Sequence, residues 1–243
     1  MSKTLYTRLI EIAHYASKFK GVISLLSPLY YPVKTFLIAR KNRKFRCNAM
    51  SVFTDMINCL NSNNVSYTLA FGTLLGAMRE HGFIKHDLDI DLAMWKDERP
   101  ENLTQLLCES GFKLQHSFKI ENGDWGLEET YVKNGVHIDI FYFYPSIEKY
   151  PYCCDFTAFG ECASFSSSMK RYGRVQARRI ELPMCRERMI VKFENISVYV
   201  PNNAHQLLSF RYGDDYMIPN KKWCGYNEHI HEWMDVKAVY ETF

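Results

Sequence analysis

Between residues 87 and 94 the chain reads DLDIDLAM, in which Asp87, Asp89 and Asp91 alternate with Leu88, Ile90 and Leu92. Successive side chains of a β-strand point to opposite faces. The spacing therefore predicts a strand over residues 88–94, with carboxylates on one face and aliphatic groups in a core. Carboxylates that share a site disfavour one another's ionisation. The pattern sets two conditions at once: a sheet that buries the aliphatic row, and a cation or cationic substrate that offsets the acidic row. A second stretch repeats the demand. In VHIDIFYF, residues 136–143, Asp139 stands between Ile138 and Ile140 on an otherwise apolar strand. An acid in that setting stays ionised only beside a metal or a cationic partner.

Around these strands the chain reads as a mixed α/β domain. Met50, Phe53, Met56, Ile57 and Leu60 recur at helical spacing, and the turn-forming run 61–64 ends that helix. Residues 67–71 suit a short buried strand. Gly72 turns the chain, and Thr73 is placed to cap a helix through Leu74, Leu75, Ala77 and Met78. A helix is expected over 102–110, ending at Gly111. Strands are expected over 112–120, 127–132 and 136–144, the last two joined by Asn134-Gly135, a strong hairpin signal. A further helix over 204–211 leads into the turn-like YGDDYMIP.

At 243 residues the chain has room for one medium-sized domain with an appended segment. We divide it into an arm, residues 1–46, and a catalytic domain, residues 47–243. Residues 21–39 of the arm are strongly apolar and lead into Lys41, Arg43, Lys44 and Arg46. Pro28, Pro32 and Lys34 interrupt the run, which argues against a membrane-spanning helix. Two readings stand: a helical arm packed on the core, or a segment (residues 21–46) lying on anionic lipid as a peripheral contact.

A net charge of +3 is too small to argue for a nucleic-acid partner. The eight cysteines are dispersed, with no secretory signal pattern ahead of them, so reduced thiols in a cytoplasmic protein are expected, at most peripheral to the inner face of the membrane. Cys153, Cys154, Cys162 and Cys185 offer zinc-ligand chemistry but lack a paired CxxC spacing.

The pieces of FGTLLGAMREHGFIKHDLDIDLAM, residues 71–94, each have a physical use. A Gly-Thr turn into a helix presents backbone N–H groups and a positive dipole end, which suit phosphate. Asp89 and Asp91 supply hard oxygen ligands of the kind Mg²⁺ (or Mn²⁺) takes alongside substrate phosphates, and Asp139 offers a third from a neighbouring strand. Arg79 on the helix could reach a phosphate or pair with a surface carboxylate. Lys85 and His86 precede the acids and could line the mouth.

In order, a Gly-Ser-type turn, a DxD strand and a later lone Asp resemble the nucleotidyltransferase fold. More narrowly, FGTLLGAMREHGFIKHDLDIDLAM, VHIDIFYF and RYGDDYMIP resemble the LicD family, which includes the fukutin-related proteins; the likeness spans roughly residues 47–223. The family commonly carries three successive acids where this chain reads Asp87-Leu88-Asp89, and often Trp where His86 stands. The resemblance implies a mixed sheet with flanking helices. It also implies transfer of a phosphorylated alcohol, such as phosphocholine or ribitol phosphate, from a CDP-linked donor to a hydroxyl of a surface glycan or lipid-linked saccharide, releasing CMP. In that reaction Asp89, Asp91 and Asp139 hold the metal on the pyrophosphate, and Asp139 helps deprotonate or orient the acceptor hydroxyl. Gly72, Thr73, Arg79, Lys85, Asp87, Asp214 and Asp215 are the substrate-binding candidates. The same triad would serve a true nucleotidyltransferase moving an NMP from an NTP, and a non-catalytic glycan- or nucleotide-binding module is the third reading. Trp125, Tyr131 and Trp223 are candidates to stack on cytosine or cage a quaternary ammonium, with core packing as the alternative for each. Arg171, Arg174, Arg178 and Arg179 read as a solvated or phosphate-facing basic surface.

Overall fold

A computed structural model of the chain describes residues 20–85, 87–147, 149–219 and 230–243. Helix α1 (Lys20–Ser62) runs without a break through Pro28, Pro32 and residue 46, so arm and domain share one helix. Ahead of Asn42 its side chains, Ala39 apart, lie outside the described residues, as does Trp223, and with them the lipid-contact reading of the arm. Among the described residues no helix is long and apolar enough to cross a membrane. From Phe45 onward α1 buries Phe45, Ala49, Val52, Phe53, Met56, Ile57 and Leu60. These positions form one helical stripe, which faces the sheet.

Ten strands and five α-helices are described. Strand β1 (Thr68–Leu69) is followed by α2 (Phe71–Arg79), β2 (Ile90–Trp95), α3 (Leu103–Glu109), β3 (Lys113–Ile120), β4 (Gly126–Lys133) and β5 (Val136–Phe143). Then come β6 (Tyr152–Thr157), α4 (Phe165–Tyr172), β7 (Val175–Glu181), the hairpin of β8 (Arg188–Phe193) and β9 (Ile196–Pro201), α5 (Ala204–Tyr212) and β10 (His231–Thr242). Eight strands form one curled mixed sheet in the order β1-β2-β5-β4-β3-β10-β7-β6, in which β2 and β5 run parallel and the other neighbours antiparallel.

Two expected boundaries move. Strand β2 starts at Ile90, so Asp87 and Asp89 precede it and only Asp91 lies on the strand. Helix α2 starts at Phe71, cutting β1 to two residues, and Thr73 sits inside the helix rather than capping it. The corner is sharp because Phe71 holds φ at 41°, a left-handed value that a bulky residue adopts only under constraint from its surroundings. Those surroundings are the Phe141 ring, edge-on at 4.6 Å, and the Arg211 guanidinium, 4.3 Å from the Phe71 ring centre. At the far end of α2, a Cβ on Gly76 would stand 2.4 Å from the carbonyl oxygen of Gly82. Glycine there lets residues 80–85 fold back along α2, and the Asp87 carboxyl lies near the Gly72 end of that helix.

The Asn134-Gly135 hairpin forms as expected, with φ of 51° and 78° at the two turn residues. Its two-residue turn fixes the register of β4 against β5, setting Thr130 opposite Asp139 and Glu128 opposite Phe141. The parallel pairing of β2 with β5 sets Asp91 beside Asp139. One face of these strands packs on α1 and α3, and it contains a buried polar network. Arg99 donates from Nη2 to Glu129 Oε1 at 2.9 Å and from Nε to the Tyr142 hydroxyl at 3.1 Å. Tyr142 donates to Glu129 Oε2 at 2.5 Å, and Tyr131 bonds Thr104 at 3.0 Å. Tyr131 is thereby part of the core, not a stacking platform.

Glu129 is only 5% exposed, so Arg99→Met would leave a buried carboxylate without its cation. Such a loss costs about 3–5 kcal/mol. Urea unfolding should show a drop of that order, most of it recovered when Glu129→Leu is added. A single-variant loss below about 1 kcal/mol would contradict the buried-pair assignment.

Candidate active site

Asp91 is anchored through both its backbone and its side chain. Its carbonyl oxygen accepts the Ala70 N–H at 3.0 Å, its own N–H donates to the Thr73 hydroxyl at 2.9 Å, and its Oδ2 accepts the Gly72 N–H at 3.1 Å. The β1–α2 corner thus fixes both the backbone and the side chain of one acid, and turns the N-terminal end of α2 toward it. A Cβ added to Gly72 would lie 3.4 Å from Asp91 Oδ2 and 3.6 Å from Asp87 Oδ1, so both carboxyls converge on this residue. Asp87 is held by its own loop, accepting the Ile84 N–H at 3.0 Å while donating its N–H to the Ile84 carbonyl at 3.0 Å. The β8–β9 hairpin supports that loop from behind: Glu194 N–H donates to the His81 carbonyl at 2.7 Å, and Phe193 packs edge-on against Phe83.

Asp139 accepts from the Thr130 hydroxyl at 2.5 Å. On the same face of β4, Glu128 adds a further carboxyl, half-buried. Neither Thr130 nor Glu128 is among the residues picked from the sequence. The two-residue hairpin already determined both, since its register alone puts Thr130 opposite Asp139.

The electrostatics follow from this convergence. Burial, then the charges of Asp89, Asp139 and Asp87, push the Asp91 carboxyl well above the usual carboxylate range, against the Gly72 N–H. Burial, then Asp139, Asp155 and Asp91, do the same to Glu128. Burial lifts Asp87 to about 6, aided by Asp89 and opposed by the Ile84 N–H and by Arg79. Such a cluster favours a bound cation or retained protons. Hard carboxylate oxygens facing one another suit Mg²⁺, which would reverse these shifts on binding. Among the described residues, however, no three acid, His or Cys side chains already stand as a metal cage. Metal and phosphate would have to draw the carboxyls in together.

The other candidates are placed as follows. Thr73 turns its hydroxyl to the Asp91 backbone. Arg79, at the far end of α2, binds Glu80 at 3.0 Å and the Tyr216 carbonyl at 3.2 Å, although its charge is felt at Asp87. Lys85 is exposed in the turn ahead of Asp87, and His86 lies outside the described residues. Asp214 and Asp215 are exposed in the turn after α5, near the end of α2 that holds Arg79. The residues just before them come closer to the acids: Arg211 stacks on Phe71, and the Tyr212 hydroxyl is raised first by burial and also by Asp91 and Asp87. Trp125 is 57% exposed at the β3–β4 connection.

The expected basic surface is not an open patch. Arg178 is paired with Asp155, Arg179 with Glu181, and Arg174 donates to the Val236 carbonyl; Arg171 lies over Tyr172. Cys153 and Cys154 are successive on β6 and so point to opposite faces, which separates them as ligands to one zinc.

Asp87 gives a pH test. The folded chain keeps this proton up to about pH 6, whereas an unfolded chain releases it near 3.8. Between those values the folded state binds more protons, so stability falls as pH rises through that interval, and the loss is complete above about 6. Thermal melts in chelator should therefore show Asp87→Asn gaining on the wild type between pH 4 and pH 7. Parallel curves for the two proteins would contradict the placement of Asp87.

Compared with known proteins, residues 64–203 match the family model described as LicD/FKTN/FKRP, nucleotidyltransferase domain, which is more than half of the chain. Ribitol-5-phosphate transferase FKTN of Mus musculus is 26% identical over 181 residues, covering 74% of this chain and 35% of that protein. The Homo sapiens FKTN is 23% identical over 181 residues, with the same coverage of 74% and 35%. The uncharacterized protein T07A5.1 of Caenorhabditis elegans is 40% identical over 82 residues, 32% of this chain and 21% of that one. The chain thus spans about a third of the length of the FKTN relatives it matches. The family match contains Gly72, Asp87, Asp89, Asp91, Glu128 and Asp139, and Arg211 lies beyond it.

Proposed function

The chain belongs to the LicD/FKTN/FKRP nucleotidyltransferase-domain family, and from that membership we propose that it transfers a phosphorylated alcohol from a CDP-linked donor to a saccharide hydroxyl. The observation that carries the reading is the side-by-side placement of Asp91 and Asp139 on parallel strands, facing a corner that gathers Asp87 and Gly72. The FKTN relatives, named as ribitol-5-phosphate transferases, support the class of group transferred.

Bound Mg²⁺ would supply charge neutralisation of the pyrophosphate. Asp89, Asp91 and Asp139 are the residues to hold it, with Asp87 close enough to share the charge. Gly72 and the first turn of α2 keep Asp91 in place, and the Thr130 hydroxyl holds one oxygen of Asp139 by a hydrogen bond. The acceptor oxygen attacks the phosphorus that bears the alcohol. The new O–P bond forms as the bridging P–O bond to CMP breaks, and a carboxylate of the cluster takes the hydroxyl proton. Because little covalent chemistry falls to the protein, positioning and charge neutralisation account for the rate.

Asp89→Asn, Asp91→Asn and Asp139→Asn should each lower turnover by on the order of 10²-fold or more, with effects far from additive. Mass analysis of the product decides the reaction class. Gain of one phospho-alcohol unit with CMP release is expected. Gain of one NMP unit with pyrophosphate release would instead mark a nucleotidyltransferase, and near-normal turnover in any of the three variants would sink the triad.

A further inference from the structure

Helix α5 carries a charge where its packing calls for an apolar residue. Its buried positions are Ala204, Leu207, Leu208 and Arg211, a spacing that forms one helical stripe. The stripe rests on α2 and on the corner that precedes it. Leu207 lies with Phe71, Leu74 and Phe143 around one small apolar cavity. One turn further on, Arg211 is 9% exposed, and its guanidinium lies over the Phe71 ring, 4.3 Å from the ring centre. Arginine is almost never buried to this degree unless another charge requires it. The position supplies that charge. Phe71 precedes Gly72, whose N–H holds the Asp91 carboxyl. The Phe71 ring also meets Phe141, which shares a face of β5 with Asp139 and lies opposite Glu128 on β4. Direct ring contacts therefore carry Arg211 to the edge of the carboxylate face, on the side of the β1–α2 corner.

We propose that Arg211 binds the non-bridging oxygens of the donor's diphosphate beside the Asp91 corner. The proposal deepens the transferase reading above, on which it rests for what the diphosphate is attached to, and it assigns the cation on the donor side of that site. A metal ion offsets the carboxyls that hold it, whereas a diphosphate brings further negative charge into the same poorly solvated corner. Arg79 and Lys85, the cations expected from the sequence to meet phosphate, are placed otherwise. Arg79 is engaged by Glu80 and the Tyr216 carbonyl at the far end of α2, and Lys85 is exposed in its turn. Arginine suits the task because its N–H donors lie in one plane, in a fork that matches two phosphate oxygens. Contact between the face of that plane and an aromatic ring uses none of those donors. The Phe71 ring also restricts the side chain beforehand, so little rotamer freedom is left to lose on binding. As the bond to CMP breaks, negative charge builds on the departing phosphate, and the same guanidinium offsets it.

Calorimetry on the full chain in Mg²⁺, with inorganic pyrophosphate, CDP-choline, CDP-ribitol and ATP as probes, tests the assignment. Pyrophosphate should bind the wild type, and bind Arg211→Met about 10- to 100-fold more weakly. Arg211→Lys, which keeps the charge without the fork, should show an intermediate loss. Methionine packs well against an aromatic ring, so a residue that only packed on Phe71 would leave the affinity of Arg211→Met unchanged. Arg186→Met removes an exposed guanidinium paired with Asp97 and Glu98, and should bind pyrophosphate as the wild type does. Circular-dichroism melts establish which variants are folded at the assay temperature. If Arg211→Met is not, Arg211→Lys decides: an intermediate loss supports the assignment and wild-type affinity overturns it. Wild-type affinity in a folded Arg211→Met, or no binding of pyrophosphate by the wild type, also overturns it. Binding of pyrophosphate and ATP through Arg211, with neither CDP-alcohol bound, supports the assignment and counts against the transferase reading alone.

Discussion

Three groups of one corner, the Ala70 and Gly72 N–H groups and the Thr73 hydroxyl, grip Asp91 by its carbonyl, its carboxylate and its N–H. The rest of the site is arranged around that grip. It joins the shortest strand of the sheet to the start of α2, and it requires the left-handed turn at Phe71. That turn is in turn held by Phe141 from the sheet and Arg211 from α5. Because β2 pairs in parallel with β5, fixing Asp91 also fixes its distance from Asp139. Strain at Phe71 and repulsion among the carboxyls are both unfavourable for folding, and the core beneath them must offset both.

The two faces of β4 show how differently the fold treats neighbouring acids. Glu129 points to the helices, where Arg99, Tyr142 and Tyr131 satisfy it with hydrogen bonds. Glu128, the previous residue, points the other way into the company of Asp139, Asp155 and Asp91. One carboxyl is completed by the protein, and the other is left among like charges. That asymmetry separates a structural ion pair from a cluster whose mutual repulsion a bound cation would offset.

Much of this was legible in the sequence because it rests on local rules. The stripe of α1, the Asn134-Gly135 hairpin, α3 and α5 follow from periodicity and turn chemistry, and the acids at 87, 89, 91 and 139 stood out against apolar neighbours. The strand start at Ile90 was missed because the alternation DLDID is equally compatible with an extended loop; what keeps Asp87 off the strand is its bonding to Ile84, a contact across three residues in a turn. Strands β6 to β10 carried no clear period, since β8 and β9 form a separate half-exposed hairpin and β10 pairs with partners more than 100 residues away in β3. The Arg178–Asp155 pair was invisible for the same reason. Only the long-range register of β6 on β7 shows that one of the four clustered arginines belongs to a row ending at Trp233.

The central claim is that the corner-held Asp91 and its neighbour Asp139 form a cation site completed by a pyrophosphate. A crystal structure with Mn²⁺ and a CDP-alcohol, using anomalous scattering to locate the metal, tests it most directly. The account predicts an ion about 2.1–2.3 Å from carboxylate oxygens of both Asp91 and Asp139, shared with phosphate oxygens, and absent from the Asp91→Asn protein. A donor bound with its phosphates remote from Asp91, or an ion held by other side chains, would contradict it.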